Sequence, residues 1–450
     1  MRSNPIQLSQ SWPRRTRGSV LIIVLWICFG LVALVIYFAH SMSTELRAAD
    51  NRSVNLAARE AADGGARYVV YVLSQYASGG IPPLSTDYEA EALPVGESTF
   101  WIIGRDPDLA STEEPYFGLV DEASKLNLNT ASRTMLEALP DMTPQLAGAI
   151  LDWRDSNQNV GENGAEDETY SRLDPPRRTK NAPFETVDEL RLVFGATLDL
   201  LYGEDLNRNG VLDPNEDDGD ETLPIDDRDG QLRRGLLDYL TVYSSQPNTR
   251  RDGSRRIDVT STAARPRLLQ LLTEKFGAAR AGEISAAIQG RDLTSPAELM
   301  VRGRLTPTEY DQVHADLSAS SGAVVRGLIN LNTADEIVLA CIPGIGTEGA
   351  QNVVNYRLSH PTGQTSIGWL SEVLDPASII RAGPHITGQS YQYSADIAAV
   401  GPNGRGHSRM RTIFDHSQGT PRMIYRQDLT SLGWSLGESV REIARIPQSR

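Results

Sequence analysis

Twelve consecutive residues, Asp205-Leu206-Asn207-Arg208-Asn209-Gly210-Val211-Leu212-Asp213-Pro214-Asn215-Glu216, carry the strongest chemical signal in the sequence. Oxygen-bearing side chains stand at positions 1, 3 and 5, glycine at 6 permits a sharp turn, Val211 offers its carbonyl at 7, and Glu216 closes at 12. That is the spacing of an EF-hand-type calcium loop, in which alternate residues turn their oxygens to one centre. Asp213 falls at the ninth position, often bridged by water. The expected ligands of Ca²⁺ are therefore Asp205, Asn207, Asn209, Val211, Asp213 and Glu216. The bland alternative is an acidic surface loop. Pro214 and the run Asp217-Asp218-Gly219-Asp220-Glu221 argue against paired sensor helices. A structural ion held with extracellular-grade affinity, ~10⁻⁴–10⁻³ M, fits better.

A second oxygen-rich stretch runs from Asp155-Ser156-Asn157-Gln158-Asn159 through Glu162, Glu166, Asp167 and Glu168, but Val160 stands where the loop glycine belongs. It reads equally as an irregular calcium site, with Asp155, Asn157, Asn159 and Glu166 as ligands, or as a solvated loop. None of these carboxylates lies beside a nucleophile or a histidine pair. The six histidines (His40, His314, His360, His385, His407, His416) show no metal-binding spacing. No catalytic constellation is visible, so the chain is expected not to be an enzyme.

The elements that must position these loops follow from the pattern of the chain. Residues 1–18 are polar and basic, with Arg14, Arg15 and Arg17 just ahead of an apolar run at 20–39. At about 1.5 Å per residue that run spans about 30 Å, the hydrocarbon thickness of a bilayer. Positive charge stays on the cytoplasmic side, so everything after Met42 is expected outside. No proline appears before Pro82, and the helix is expected to continue as an amphipathic stem to about Ser78. Its Ala/Gly face (Ala57, Ala58, Ala61, Ala62, Gly64, Gly65, Ala66) reads either as plain helix propensity or as close approach of packed helices.

Strand-like pieces follow at 98–103 and 116–120, then a mainly helical block with acidic loops, then strands at 391–400, 409–415 and 422–426. Strands at both ends of a helical block imply one antiparallel sheet with a large insertion, an α+β fold. The expected divisions are 1–18 leader, 19–80 membrane and stem helix, 81–120 with 385–450 as the β domain, and 121–384 as the α-helical insertion with the calcium loop. Within the insertion, Leu128-Asn129-Thr130-Ala131 opens a segment that aligns without gaps on Leu331-Asn332-Thr333-Ala334. Pro140 falls on Pro343, Trp153 on Tyr356 and Arg154 on Arg357, with a weaker echo at 257–262.

The turn Ile342-Pro343-Gly344-Ile345-Gly346 resembles a helix-hairpin-helix, which in DNA-binding members holds phosphate on backbone N–H groups. Here Glu348 follows, and the first copy reads Pro140-Asp141-Met142-Thr143, without the glycines. The net charge of −15 also repels phosphate. No nucleic-acid partner is expected, and a helical packing unit is the better reading. Cys28 and Cys341 lie far apart, one of them in the apolar run, so an internal disulfide is implausible.

Residues 17–26, Arg-Gly-Ser-Val-Leu-Ile-Ile-Val-Leu-Trp, resemble a type IV prepilin-like signal. Together with the repeats, the Asp152-Trp153-Arg154-Asp155 segment and the terminal strands, they make the whole chain resemble the protein K family of minor pseudopilins of type II secretion. The resemblance implies a pilin-like fold and cleavage by a prepilin peptidase between Gly18 and Ser19, with methylation of Ser19. It further implies calcium in the insertion, an inner-membrane anchor with the bulk in the periplasm, and other minor pseudopilins and the major pseudopilin as partners. Most pilins carry glutamate at the fifth mature position, where it pairs with a neighbour's terminal amine. Here that position is Ile23, which suits a subunit at a filament tip. The alternative function is a membrane-tethered, competence-type DNA-binding protein.

Overall fold

The computed structural model describes residues 19–76, 80–105, 114–250, 252–360, 365–437 and 440–441. Helix α1 (Ser19–Ser74) is one 56-residue element, ending four residues before the expected stop. Its apolar first part, Val20 to Phe38, is exposed throughout, and it is long and apolar enough to cross a membrane. From Val54 onward one face is buried, with Val54, Ala58, Ala61, Ala62, Val69, Val72 and Leu73 at helical spacing.

That face packs on an antiparallel sheet of six strands: β1 (Leu93–Val95), β2 (Ser98–Ile103), β3 (Val120–Asp121), β4 (Gln392–Val400), β5 (His407–Asp415) and β6 (Arg422–Asp428). The order is β1-β2-β4-β5-β6, with β3 also beside β4. The central strand β4 is thus flanked by β2, nearly three hundred residues earlier in the chain. Alternation divides β2: Phe100 and Ile102 face α1, while Trp101 and Ile103 join Ala398, Val400 and Leu436 on the other face. Small residues on the buried face of α1 permit close approach to this sheet. A Cβ on Gly65 would lie 2.9 Å from Ile397 and Phe100, a distance no side chain tolerates. Of the strand expected at 116–120, only Val120 belongs to a strand, and Phe117 makes a single bridge to Ile103.

Between β3 and β4 lies a block of short helices around one hydrophobic core. The aligned segments are alike in structure: α2 (Arg133–Glu137) and α3 (Pro144–Arg154) in the first, α4 (Glu336–Ala340) and α5 (Gly346–Ser359) in the second. Each opens on a short parallel pairing, Leu126-Asn127 with Leu240-Thr241 and Ile329-Asn330 with Ile386-Thr387. The weak echo is a third copy of this opening, Ile257-Asp258 with Leu317-Ser318. In all three the next N–H extends the ladder: Leu128 to Thr241 O at 2.8 Å, Val259 to Ser318 O at 2.9 Å, Leu331 to Thr387 O at 3.0 Å. Asn127, Asp258 and Asn330 each accept from the N–H two residues on, which fixes the turn. The matched arginines have the same task. Arg154 donates to Leu128 O and Ala131 O, and Arg357 to Leu331 O and Ala334 O. Cys28 and Cys341 are free.

Candidate calcium loops of the insertion

The loop at 205–216 is closed from inside by Asp205. Its Oδ1 accepts from Asn209 N at 2.9 Å and its Oδ2 from Gly210 N at 2.8 Å. Gly210 makes this turn at φ +75°, a conformation that disfavours a side chain. Asn207 Oδ1 accepts from Asn209 N, Asn209 Oδ1 from Val211 N, and both amide NH₂ groups converge on Asp213 Oδ2. Glu216 is 1% exposed; one carboxylate oxygen accepts from Asp213 N at 3.1 Å and the other, Oε1, has no partner among the described residues. Burial, with Asp205 and Asp213 close by, pushes the Glu216 carboxyl up to about 8. A buried carboxylate oxygen without a donor is costly unless a cation completes it.

The loop at 155–166 shares the bond between its two asparagines but meets its first aspartate differently. Asp155 Oδ1 accepts from Asn157 N at 2.9 Å, and Asn157 Oδ1 from Asn159 N at 2.7 Å. Val160 is exposed and makes no inward turn; Gly161 instead sends its N–H to Asp152, at 3.1 Å from Oδ2. Asp152 is buried, and so is Glu166, whose two carboxylate oxygens have no hydrogen-bond partner among the described residues. Burial raises the Glu166 carboxyl, and Asp152 and Asp155 add to the rise. Asp152 was not among the ligands expected from the sequence, because its place in a helical segment gave no sign that Gly161 and Gly164 close over it.

The orphaned oxygens of Glu166 and Glu216 therefore fit a calcium ion in each loop. Among the described residues no three His, Cys, Asp or Glu side chains converge as a metal centre, so amide and main-chain oxygens such as that of Val211 would have to complete either set.

Two arginines that no local motif announces grip the first loop from the sheet. Arg105, just beyond β2, donates to Arg208 O at 3.1 Å and Asn209 O at 3.0 Å, and lies 3.4 Å from Asp205 Oδ2. Arg409 on β5 donates to Arg208 O at 2.7 Å and to Asn207 O. Arg409 is itself held by Asp396 of β4, with both Asp396 oxygens within 2.8 Å. Asp396 is buried; burial would raise its carboxyl, but Arg409 and Arg411 prevail and keep it low. Asn209 also donates to Ser435 O at 2.8 Å, beyond the last strand.

The glycine turn at 342–346 is packed at Gly344 and open at Gly346. Gly344, at φ +93°, would bring a Cβ within 2.8 Å of Ser378 O and Arg381 Cβ, and Glu348 occupies the first turn of α5. Both features oppose a phosphate at this turn. The expected processing residue Gly18 lies outside the described residues; Ser19 is the first residue of α1.

Residues 120–202 match a family model described as type II secretion system (T2SS), protein K. Type II secretion system protein K of Pectobacterium carotovorum subsp. carotovorum is 38% identical over 60 residues, 13% of this chain and 18% of that one. The protein of the same name from Klebsiella pneumoniae is 45% identical over 51 residues, 11% of this chain and 16% of that one. The aligned part thus spans less than a fifth of either relative. The crystal structure of the GspK-GspI-GspJ complex from the enterotoxigenic Escherichia coli type 2 secretion system contains a chain that is 12% identical, with a TM-score of 0.43, covering 85% of this chain and 99% of that one. Over residues 120–202, therefore, this chain carries a type II secretion system protein K domain.

Proposed function

We propose that the chain is a non-catalytic minor pseudopilin of a type II secretion system, anchored in the inner membrane by α1 with its bulk in the periplasm. The observation that carries this reading is the union of two parts in one chain. A protein K segment at 120–202 is joined to an N-terminal helix whose first half is bare and apolar and whose second half is built into the sheet. Such a helix serves first as a membrane span and then as a packing element among like helices. Its partners on this reading are other minor pseudopilins, the major pseudopilin and the prepilin peptidase. The bulky insertion and the uncharged Ile23 favour a place at the filament tip, where no subunit ahead needs a glutamate. Calcium in the 205–216 loop, and in the 155–166 loop, would be structural.

Mass spectrometry of the N-terminus tests the assignment. The mature protein is expected to begin at N-methylated Ser19, and Gly18→Leu to leave the precursor uncut. Normal maturation of that variant, or an intact leader on the wild type, would remove the pseudopilin reading.

A further inference from the structure

The 205–216 loop meets the sheet through the backs of its own peptide planes. A trans peptide points its C=O and N–H in opposite directions, so holding one end aims the other. The Arg208 carbonyl is taken by Arg105 and Arg409, and the N–H of the same peptide unit, on Asn209, points into the loop at Asp205 Oδ1. The next plane repeats this: Asn209 O accepts from Arg105, and Gly210 N donates to Asp205 Oδ2. Both oxygens of the first-position aspartate are thus oriented by donors that sheet arginines aim. Gly210 has a second use here, because a Cβ on it would stand 2.7 Å from the Arg105 guanidinium. In the loop at 155–166 the arginine from outside, Arg133, holds Glu162 O instead, and Asp155 is met by Asn157.

We infer that Arg105 and Arg409 are positioning residues for the 205–216 loop, so that the loop's affinity for calcium and its seating on the sheet form one coupled equilibrium. The inference rests on the calcium reading of this loop and adds what that reading lacks, a mechanical consequence for the joint between insertion and sheet. Coupling of this kind is reciprocal: whatever factor the seated sheet adds to calcium affinity, bound calcium adds to seating. Groups that orient ligands in this indirect way change metal affinity about 10–100-fold when removed.

The test uses the full chain in detergent micelles, in a Glu166→Gln background so that this loop alone is titrated with Ca²⁺ by calorimetry. Arg105→Lys keeps the positive charge beside Asp205 but loses the planar fork that reaches both carbonyls. The expected result is a dissociation constant at least about tenfold weaker. A merely structural role would lower the melting temperature of the calcium-free protein and leave that constant unchanged, which overturns the inference. A second measurement needs no variant. Hydrogen exchange of the wild type should slow on adding Ca²⁺ both in the loop and across residues 409–411 of β5. Protection confined to the loop would overturn the coupling. Absence of any binding by this loop in the unaltered Arg105 protein would instead remove the calcium reading itself, and the inference with it.

Discussion

The loops at 155–166 and 205–216 share a beginning and an end and differ in between. Each opens Asp-x-Asn-x-Asn and closes with a glutamate at the twelfth position, and each of those glutamates is buried with an oxygen that no described residue partners. At the sixth position one has Val160 and the other Gly210. Glycine at φ +75° folds the chain back so that its N–H meets the first aspartate. Valine cannot adopt that turn cheaply, and the equivalent closure slips one residue along, from Gly161 to Asp152. The second difference is charge. The later loop leans on Arg105 and Arg409, whereas Glu166 sits among Asp152, Asp155 and Asp167. A shared spacing thus creates two similar acidic frames, the earlier bound within the insertion through Arg133 and Asp152 and the later held by Arg105 and Arg409 from the sheet side.

Breaking that tie should have the largest effect. Arg409→Met leaves Asp396 buried with Arg411 as its remaining ion-pair partner at 3.0 Å, removes the arginine donor to Asn207 O and leaves Arg208 O to Arg105. Uncompensated buried charge costs about 3–5 kcal/mol, and the surviving Arg411 contact places the expected loss near the lower end. Urea unfolding checks this, and a loss below about 1 kcal/mol would show that the sheet does not depend on the pair. Exchanging the sixth residues comes next. Gly210→Val should cost about 1–3 kcal/mol through backbone strain and the clash with Arg105. Val160→Gly should stay within about 0.5 kcal/mol, since Val160 is exposed. Equal costs for the two would remove the distinction between the loops.

Calcium removal acts at a similar scale. At ten times the dissociation constant a bound ion stabilises the fold by about 1.4 kcal/mol per site, so EDTA should lower the melting temperature. Glu216→Gln and Glu166→Gln divide that effect between the loops. A melting curve that EDTA leaves unchanged would eliminate structural calcium from both.

The smallest effect concerns a carboxylate in the insertion with the opposite environment. Hydrogen bonding to Arg280 holds Glu309 down at about 2, below its ordinary value. A depressed folded value contributes stability above the unfolded value, near 4.5, that is lost as pH falls towards about 2. The pair is partly solvated, so the contribution is about 1 kcal/mol or less. Glu309→Gln should flatten this part of an acid-unfolding profile, and an unaltered profile would show that the ion pair is inert.

Much of this was legible along the chain because it is local. The apolar run, the helical spacing of small residues, the strands at 98–103 and 391–400 and the cap-like repeats all depend on neighbours a few positions apart. The apolar residues at 116–120 pair with the sheet only at isolated points, so local alternation there does not make a strand. The third repeat opening looked weak because its side chains differ, although its backbone pairing is the same.

The sequence by itself determined the long helix, the α+β alternation and the positions of the acidic residues in both loops. Spacing controls which side chains share a face or a turn, and that needs no distant partner. Only the tertiary structure decided that Arg105 and Arg409, about one hundred and two hundred residues from the later loop, would hold it, and that Glu166 and Glu216 would be buried with oxygens unmet. Burial and counter-charge are properties of what the fold brings together, and no local pattern of residues encodes them.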